Sequence, residues 1–157
     1  MNSDASVGRV MLLVEDNEDD VFLMRRALKS AKLDLKLQVA ADGQEALDYL
    51  AGIGQFSDRS SFPLPGIVLL DLKLPYVHGF EILSWIRQQP TLKDIAVVVL
   101  TSSPEERDLQ KARDLGARTY LVKPPTAEMI LNLLLASNTG SASLGAAIAG
   151  QAQEKAL

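Results

Sequence analysis

Glu15, Asp16, Asp71, Thr101 and Lys123 share a feature of placement: each closely follows a short apolar run. VMLLV precedes Glu15-Asp16, IVLL precedes Asp71, residues 95–100 precede Thr101-Ser102, and residues 119–122 precede Lys123. Brought to one place, three carboxylates repel one another and require a cation. Hard oxygen ligands with room for water favour Mg²⁺. One carboxylate with a free oxygen would serve as nucleophile and form an acyl phosphate. Thr101 and Lys123 would donate to the phosphoryl oxygens, the lysine as a charge-assisted donor. Positioning and charge neutralisation are most of what phosphoryl transfer asks of a protein.

The elements that must position these residues are legible in the hydrophobic pattern. Residues 9–14, with VMLLV as their core, 67–70, 95–100 and 119–122 are short, mainly apolar runs, as expected of strands buried on both faces. Leu35, Leu37 and Val39 alternate as a further strand. Between them lie segments of helical spacing: Val21, Met24, Leu28 and Ala31; Gly43 to Leu50; Ile82, Leu83 and Ile86; a helix with Pro104 in its first turn that stops at Gly116; and a last one capped by Thr126 that runs to about Ala136. Residues 52–66, rich in Gly, Ser and Pro, read as a loop. Five alternations of strand and helix predict an α/β fold, a doubly wound five-stranded parallel sheet with helices on both faces. In such a sheet the functional site lies beyond the carboxyl ends of the strands. All five candidate residues fall there.

Each residue also has a plainer reading. Acids ahead of a helix favour its N-terminus, and Asp19 and Asp20 are read in that way. A lone Asp after a strand is often a turn residue. The ordered set of acid pair, Asp, Thr and Lys, each at a strand end, is much harder to obtain by chance.

Composition narrows the classes further. The 157 residues suit one domain with a little extra. No cysteine is present, which excludes a disulfide scaffold and a thiolate zinc site. The single histidine, His78, weakens any Ser-His-Asp proposal. A net charge of −4 argues against nucleic-acid binding. No run approaches the roughly 18 apolar residues of a membrane span, and the first residues lack the pattern of a signal peptide. A cytoplasmic location is expected.

The motifs LLVEDNEDD, IVLLDLKLP, VVVLTSS and YLVKPP, in this order across residues 9–137, resemble the receiver domain of bacterial two-component response regulators. The resemblance implies a flavodoxin-like (βα)5 receiver fold. It implies that Asp71 is the phosphoacceptor, that Asp16 binds Mg²⁺ directly and that Glu15 reaches it through water. The backbone carbonyl of Lys73 corresponds to the third protein ligand. Thr101 corresponds to the switch hydroxyl, Lys123 to the family's lysine and Tyr120 to the switch aromatic. The Lys123-Pro124 bond matches one usually cis in the family. The insert at residues 53–66, with Phe62-Pro63-Leu64-Pro65, is similar to that of single-domain regulators partnering phytochrome-type histidine kinases. The implied partner is a sensor histidine kinase, and the implied output is protein association.

Residues 1–8 then read as an N-terminal extension, 9–137 as the receiver and 138–157 as a flexible tail rich in Ala, Gly and Ser. His78 stands where the family commonly has an Asp, and reads as a solvated loop residue. Pro125 replaces a common aromatic. Lys73 and Ser103 occupy positions that tune acyl-phosphate lifetime in the family. In the last helix Ile130, Leu133 and Leu134 are expected inside. Leu131 and Leu135 are expected outside, where a homodimer or a docked kinase would cover them. Rival readings remain open at this point. An Asp-nucleophile phosphatase of the haloacid-dehalogenase type would want an Asp where Lys73 stands. A flavin module would want a phosphate loop after the first strand. A phosphorylation-independent adaptor would have no reason to keep clustered acids.

Overall fold

The computed structural model describes residues 10–139, so the stretches expected to be an N-terminal extension and most of the tail lie outside the described residues. Five strands form one parallel sheet: β1 (Val10–Val14), β2 (Lys36–Ala40), β3 (Ile67–Asp71), β4 (Ala96–Thr101) and β5 (Thr119–Val122), in the order β2-β1-β3-β4-β5. The helices are α1 (Glu18–Ser30), α2 (Gly43–Ala51), α3 (Gly79–Gln88), α4 (Glu106–Asp114) and α5 (Ala127–Thr139). Among the described residues, no helix is long and apolar enough to cross a membrane.

Successive strand side chains point to opposite faces, and both faces are apolar. Leu12, Val14, Val68, Leu70, Val97 and Val99 face one side, where α2, α3 and α4 add Tyr49, Ile82 and Leu109. Met11, Leu13, Leu69, Val98 and Leu121 face the other, where α1 adds Met24 and α5 adds Ile130 and Leu133. The register fixes the functional edge. Val14 pairs with Leu70, Asp71 with Leu100, and Thr101 with Val122. The residues after β1, β3, β4 and β5 therefore share one rim.

Several local expectations need correction. Residues 52–66 are a loop as expected, but a packed one. They hold a short 3-10 turn, Gly54–Phe56, and Phe56 is buried with the Tyr49 and Phe62 rings each 5.1 Å from its own. Arg59 donates to the carbonyls of Tyr49, Leu50 and Phe62, tying the insert to the end of α2. Pro104 lies ahead of α4 instead of in its first turn, because Glu105 is the extended N-cap residue. The last helix continues to Thr139, so the boundary expected at 137 falls inside it. Thr126 caps it as expected, its Oγ1 accepting from Met129 N–H at 3.1 Å. Ile130 and Leu133 are fully buried, Leu134 only partly. Leu135 is 62% exposed, whereas Leu131 is half-buried.

His78 is more than a solvated loop residue. Its side chain accepts from Phe80 N–H, and Glu81 accepts from the His78 N–H in return. That reciprocal arrangement satisfies free donors at the start of α3. Its ring also stacks on Phe80 at 4.9 Å.

Candidate functional site

Glu15 follows β1 and is drawn inward, its N–H continuing the sheet by donating to Ala40 C=O at 3.0 Å. Asp16 faces solvent. Asp71 ends β3 and is 7% exposed. One carboxylate oxygen from each of these three residues lies within 4.8 Å of the other two. Asp71 Oδ1 accepts from the Lys73 N–H at 3.0 Å, which folds the loop after β3 back over the strand end. Gly79 lets that loop close. A Cβ there would stand 2.7 Å from Leu72 Cα and 2.8 Å from the Asp71 carbonyl oxygen, so no side chain fits.

Lys123 is delivered by β5, with its N–H bonded to Thr101 C=O and a cis bond to Pro124. Its Nζ lies 2.8 Å from Glu15 Oε1, 3.0 Å from Asp71 Oδ2 and 3.0 Å from Asp20 Oδ2. Burial pushes the Glu15 carboxyl up to about 7, with the Asp71 charge adding to the rise and Lys123 opposing it. Burial works against the Lys123 charge as well. The hydrogen bonds to Glu15, Asp20 and Asp71 outweigh it and hold the ammonium above the ordinary lysine range.

The structure brings Glu15, Asp16, Asp71 and Lys123 to one place. Thr101 sits at the end of neighbouring β4, 8% exposed, its Oγ1 accepting from Ser103 N–H. Tyr120 lies two residues earlier than Val122, the pairing partner of Thr101, and is buried in the core under α3 and α4. Asp20 was missed. By position it reads as an acid serving the helix N-terminus, yet its carboxylate reaches a lysine 103 positions away. Asp19, one residue earlier, is exposed.

The donor set fits a hard divalent cation. It offers carboxylate oxygens on one rim, with the exposed Asp16 at the solvent side.

Fold and rim together define a class. Residues 11–135 match the response regulator receiver domain family, and the chain belongs to it. Response regulator Rcp1 of Synechocystis sp. is 38% identical over 123 residues, covering 78% of this chain and 82% of Rcp1. The structure of its Mn²⁺-bound form aligns with a TM-score of 0.68 at 36% identity, covering 80% of this chain and 88% of that one. The bacteriophytochrome response regulator AtBRR aligns with a TM-score of 0.71 at 44% identity, covering 79% and 88%. The phosphorylated cyanobacterial phytochrome response regulator RcpA aligns with a TM-score of 0.69 at 30% identity, covering 95% and 98%. The chain is a receiver-domain signalling protein close to the phytochrome response regulators.

Proposed function

We propose that this receiver accepts a phosphoryl group on Asp71 from a phytochrome-type sensor histidine kinase. One observation carries the reading: the Lys123 ammonium bonded to Asp71 and Glu15 on the same rim as Asp16. An Asp71 carboxylate oxygen attacks phosphorus, the O–P bond forms as the donor's P–N bond breaks, and the imidazole leaves with the electron pair. Glu15, Asp16, Asp71 and the Lys73 carbonyl would hold Mg²⁺, the carboxylates supplying hard oxygen donors. When bound, that cation neutralises charge on the transferring phosphoryl oxygens.

The chain's own groups do the rest. Lys123 already donates at Asp71 and transfers that donor to a phosphoryl oxygen. Thr101 Oγ1 turns from Ser103 N–H toward the phosphoryl group, and Tyr120 follows into the space left behind. The Mn²⁺-bound form of Rcp1 and the phosphorylated form of RcpA support this assignment by likeness.

Signalling would proceed by protein association in the cytoplasm. The exposed Leu135 and half-buried Leu131 support α5 as a face for a second copy or a kinase. Sedimentation of the protein with Leu131→Asp or Leu135→Asp should show a loss of dimer. Monomers at every concentration in both the variants and the parent would end that part of the reading.

The central test is intact mass after incubation with Mg²⁺ and a small phosphodonor. One phosphoryl group should be gained, and none with Asp71→Asn. Equal labelling of the variant would refute Asp71 as acceptor. No labelling of either would leave a receiver-shaped adaptor.

A further inference from the structure

Lys123 has three ammonium donors, and the structure gives it three carboxylates. Glu15 and Asp71 arrive from the ends of β1 and β3 and belong to the acid cluster already described. Asp20 comes from the first turn of α1, outside that cluster, and approaches Lys123 to 3.0 Å. We propose that Asp20 is the positioning residue for Lys123, holding the ammonium so that a donor stays aimed at Asp71 throughout phosphoryl transfer. The proposal rests on the reading of Asp71 as phosphoacceptor.

A lysine ammonium is a compact point charge on a flexible stem, with no directional preference of its own. Its position is set by its partners. In the reaction proposed above, two of the three partners change. Asp71 gives up its carboxylate charge to the acyl phosphate, and Glu15 is shared with a bound cation. Asp20 alone keeps its charge and its place. It also pulls from the α1 side, opposite in origin to the two strand-end acids. Without it, the ammonium is held by Glu15 and Asp71 alone, the two partners that change during the reaction.

The surroundings strengthen this ion pair. The small space beside Asp20 and Lys123 is walled by Leu13, Leu23, Met24, Leu100, Pro124 and Pro125. Apolar walls keep the local dielectric low, so charge–charge attraction there exceeds that of a surface pair. The side chain of Lys123 is 11% exposed and that of Asp20 is 31% exposed.

The plainer role for Asp20 is to favour the N-terminus of α1, which it shares with Glu18 and Asp19. Asp19 supplies a matched control, since it carries the same charge in the same turn and is exposed. The test compares the full chain with Asp20→Ala, Asp19→Ala and Asp20→Asn, using acetyl phosphate and Mg²⁺. Initial rates against donor concentration separate the limiting rate from half-saturation. Asp20→Ala should lower the limiting rate about tenfold, the scale of a hydrogen bond between charged groups, and move half-saturation much less. Asp19→Ala should match the parent. Asp20→Asn keeps an oxygen acceptor in place and should recover part of the loss.

A second readout needs no reaction. The Lys123 ammonium should give a protected nitrogen–proton NMR signal in the metal-free parent, retained in Asp19→Ala and lost in Asp20→Ala. An unchanged limiting rate in Asp20→Ala, with the parent still phosphorylated, overturns the proposal and spares the phosphoacceptor reading. Equal losses in Asp19→Ala and Asp20→Ala also overturn it, in favour of the helix terminus. A parent that takes no phosphoryl group removes the phosphoacceptor reading and this proposal together.

Discussion

Replacing Lys123 by Met tests whether the ammonium is what makes the acid cluster tolerable. Methionine keeps most of the stem and its packing but leaves Glu15, Asp71 and Asp20 without their cation. Two unit charges 4.8 Å apart, the outer limit of the cluster, repel by about 3.5 kcal/mol at an effective dielectric near 20. Removing one member of a buried ion pair typically costs about 3–5 kcal/mol. Glu15 softens the loss, because a carboxyl already raised to about 7 takes up a proton at little cost near neutral pH. The expected destabilisation is therefore about 2–3 kcal/mol, a fall in Tm of roughly 6–10 °C for a domain of this size. The assay is thermal unfolding at pH 7.5, first with chelator and then with Mg²⁺ or Mn²⁺. A cation that binds only the folded state stabilises by mass action. It should restore more stability to Lys123→Met than it adds to the parent, because the competing ammonium is gone. Adding Glu15→Gln to Lys123→Met should recover part of the loss without metal. If Lys123→Met melts with the parent in chelator, the ammonium is not compensating the acids and the electrostatic account of this rim is wrong.

Three other perturbations probe the scaffold. Tyr76, 90% exposed with φ 67° in a tight turn closed by Val77 N–H to Pro75 C=O, holds backbone strain without packing to lose, so Tyr76→Gly should stabilise by about 0.5–1 kcal/mol in denaturant unfolding; unchanged or lower stability would refute that strain. Tyr49 is buried, its hydroxyl donates to Pro63 C=O at 2.9 Å, and burial raises its pKa despite Arg59 nearby. The neutral phenol is thus favoured in the fold, a stabilisation present below about pH 10 and lost as pH rises through the folded value; Tyr49→Phe should cost about 1 kcal/mol at neutral pH and flatten the alkaline limb of a stability–pH profile. Leu133→Ala should cost about 2–5 kcal/mol by opening a cavity, whereas Leu135→Ala should stay within about 0.5 kcal/mol in the monomer; equal losses would mean that α5 packs otherwise.

Much of this is legible in the sequence because the fold converts sequence position into place. A strand apolar on both faces can lie only inside a sheet covered on both sides, and a polar residue just after it must emerge at the carboxyl edge. Glu15, Asp71 and Lys123 obey that rule. Asp20 does not follow a strand, and its contact spans from α1 to the loop after β5, so no local spacing announces it. His78 was opaque for a different reason. Its capping role depends on Glu81 and Phe80, and a histidine cap falls outside the usual Ser, Thr, Asp and Asn set. The 53–66 insert carries the Gly, Ser and Pro of a loop, and its packing depends on Tyr49 meeting Phe56 and Phe62 in space. Leu131 was expected outside on the helical wheel alone, yet is half-covered, since a wheel does not know how far neighbours rise beside α5.

The contacts of Lys123 leave the neutralisation of the rim unfinished. Four carboxylates, Glu15, Asp16, Asp20 and Asp71, are set against one ammonium. Lys123 engages the two buried acids and Asp20, and leaves the exposed Asp16 aside. The uncompensated charge thus lies at the solvent side, where a divalent cation can arrive without crossing the protein. A second ammonium in contact with these acids would stabilise the resting fold and remove the attraction for the cation. Phosphorylation exchanges one negative charge on Asp71 for nearly two. Only donors already aimed at Asp71, or neutral ones such as the Thr101 hydroxyl proposed above to turn toward it, would meet the added charge without new desolvation. On this view the rim is poised by under-neutralisation: stable enough to fold around Lys123, and charged enough to attract a cation that would then offset the negative charge a phosphoryl group adds.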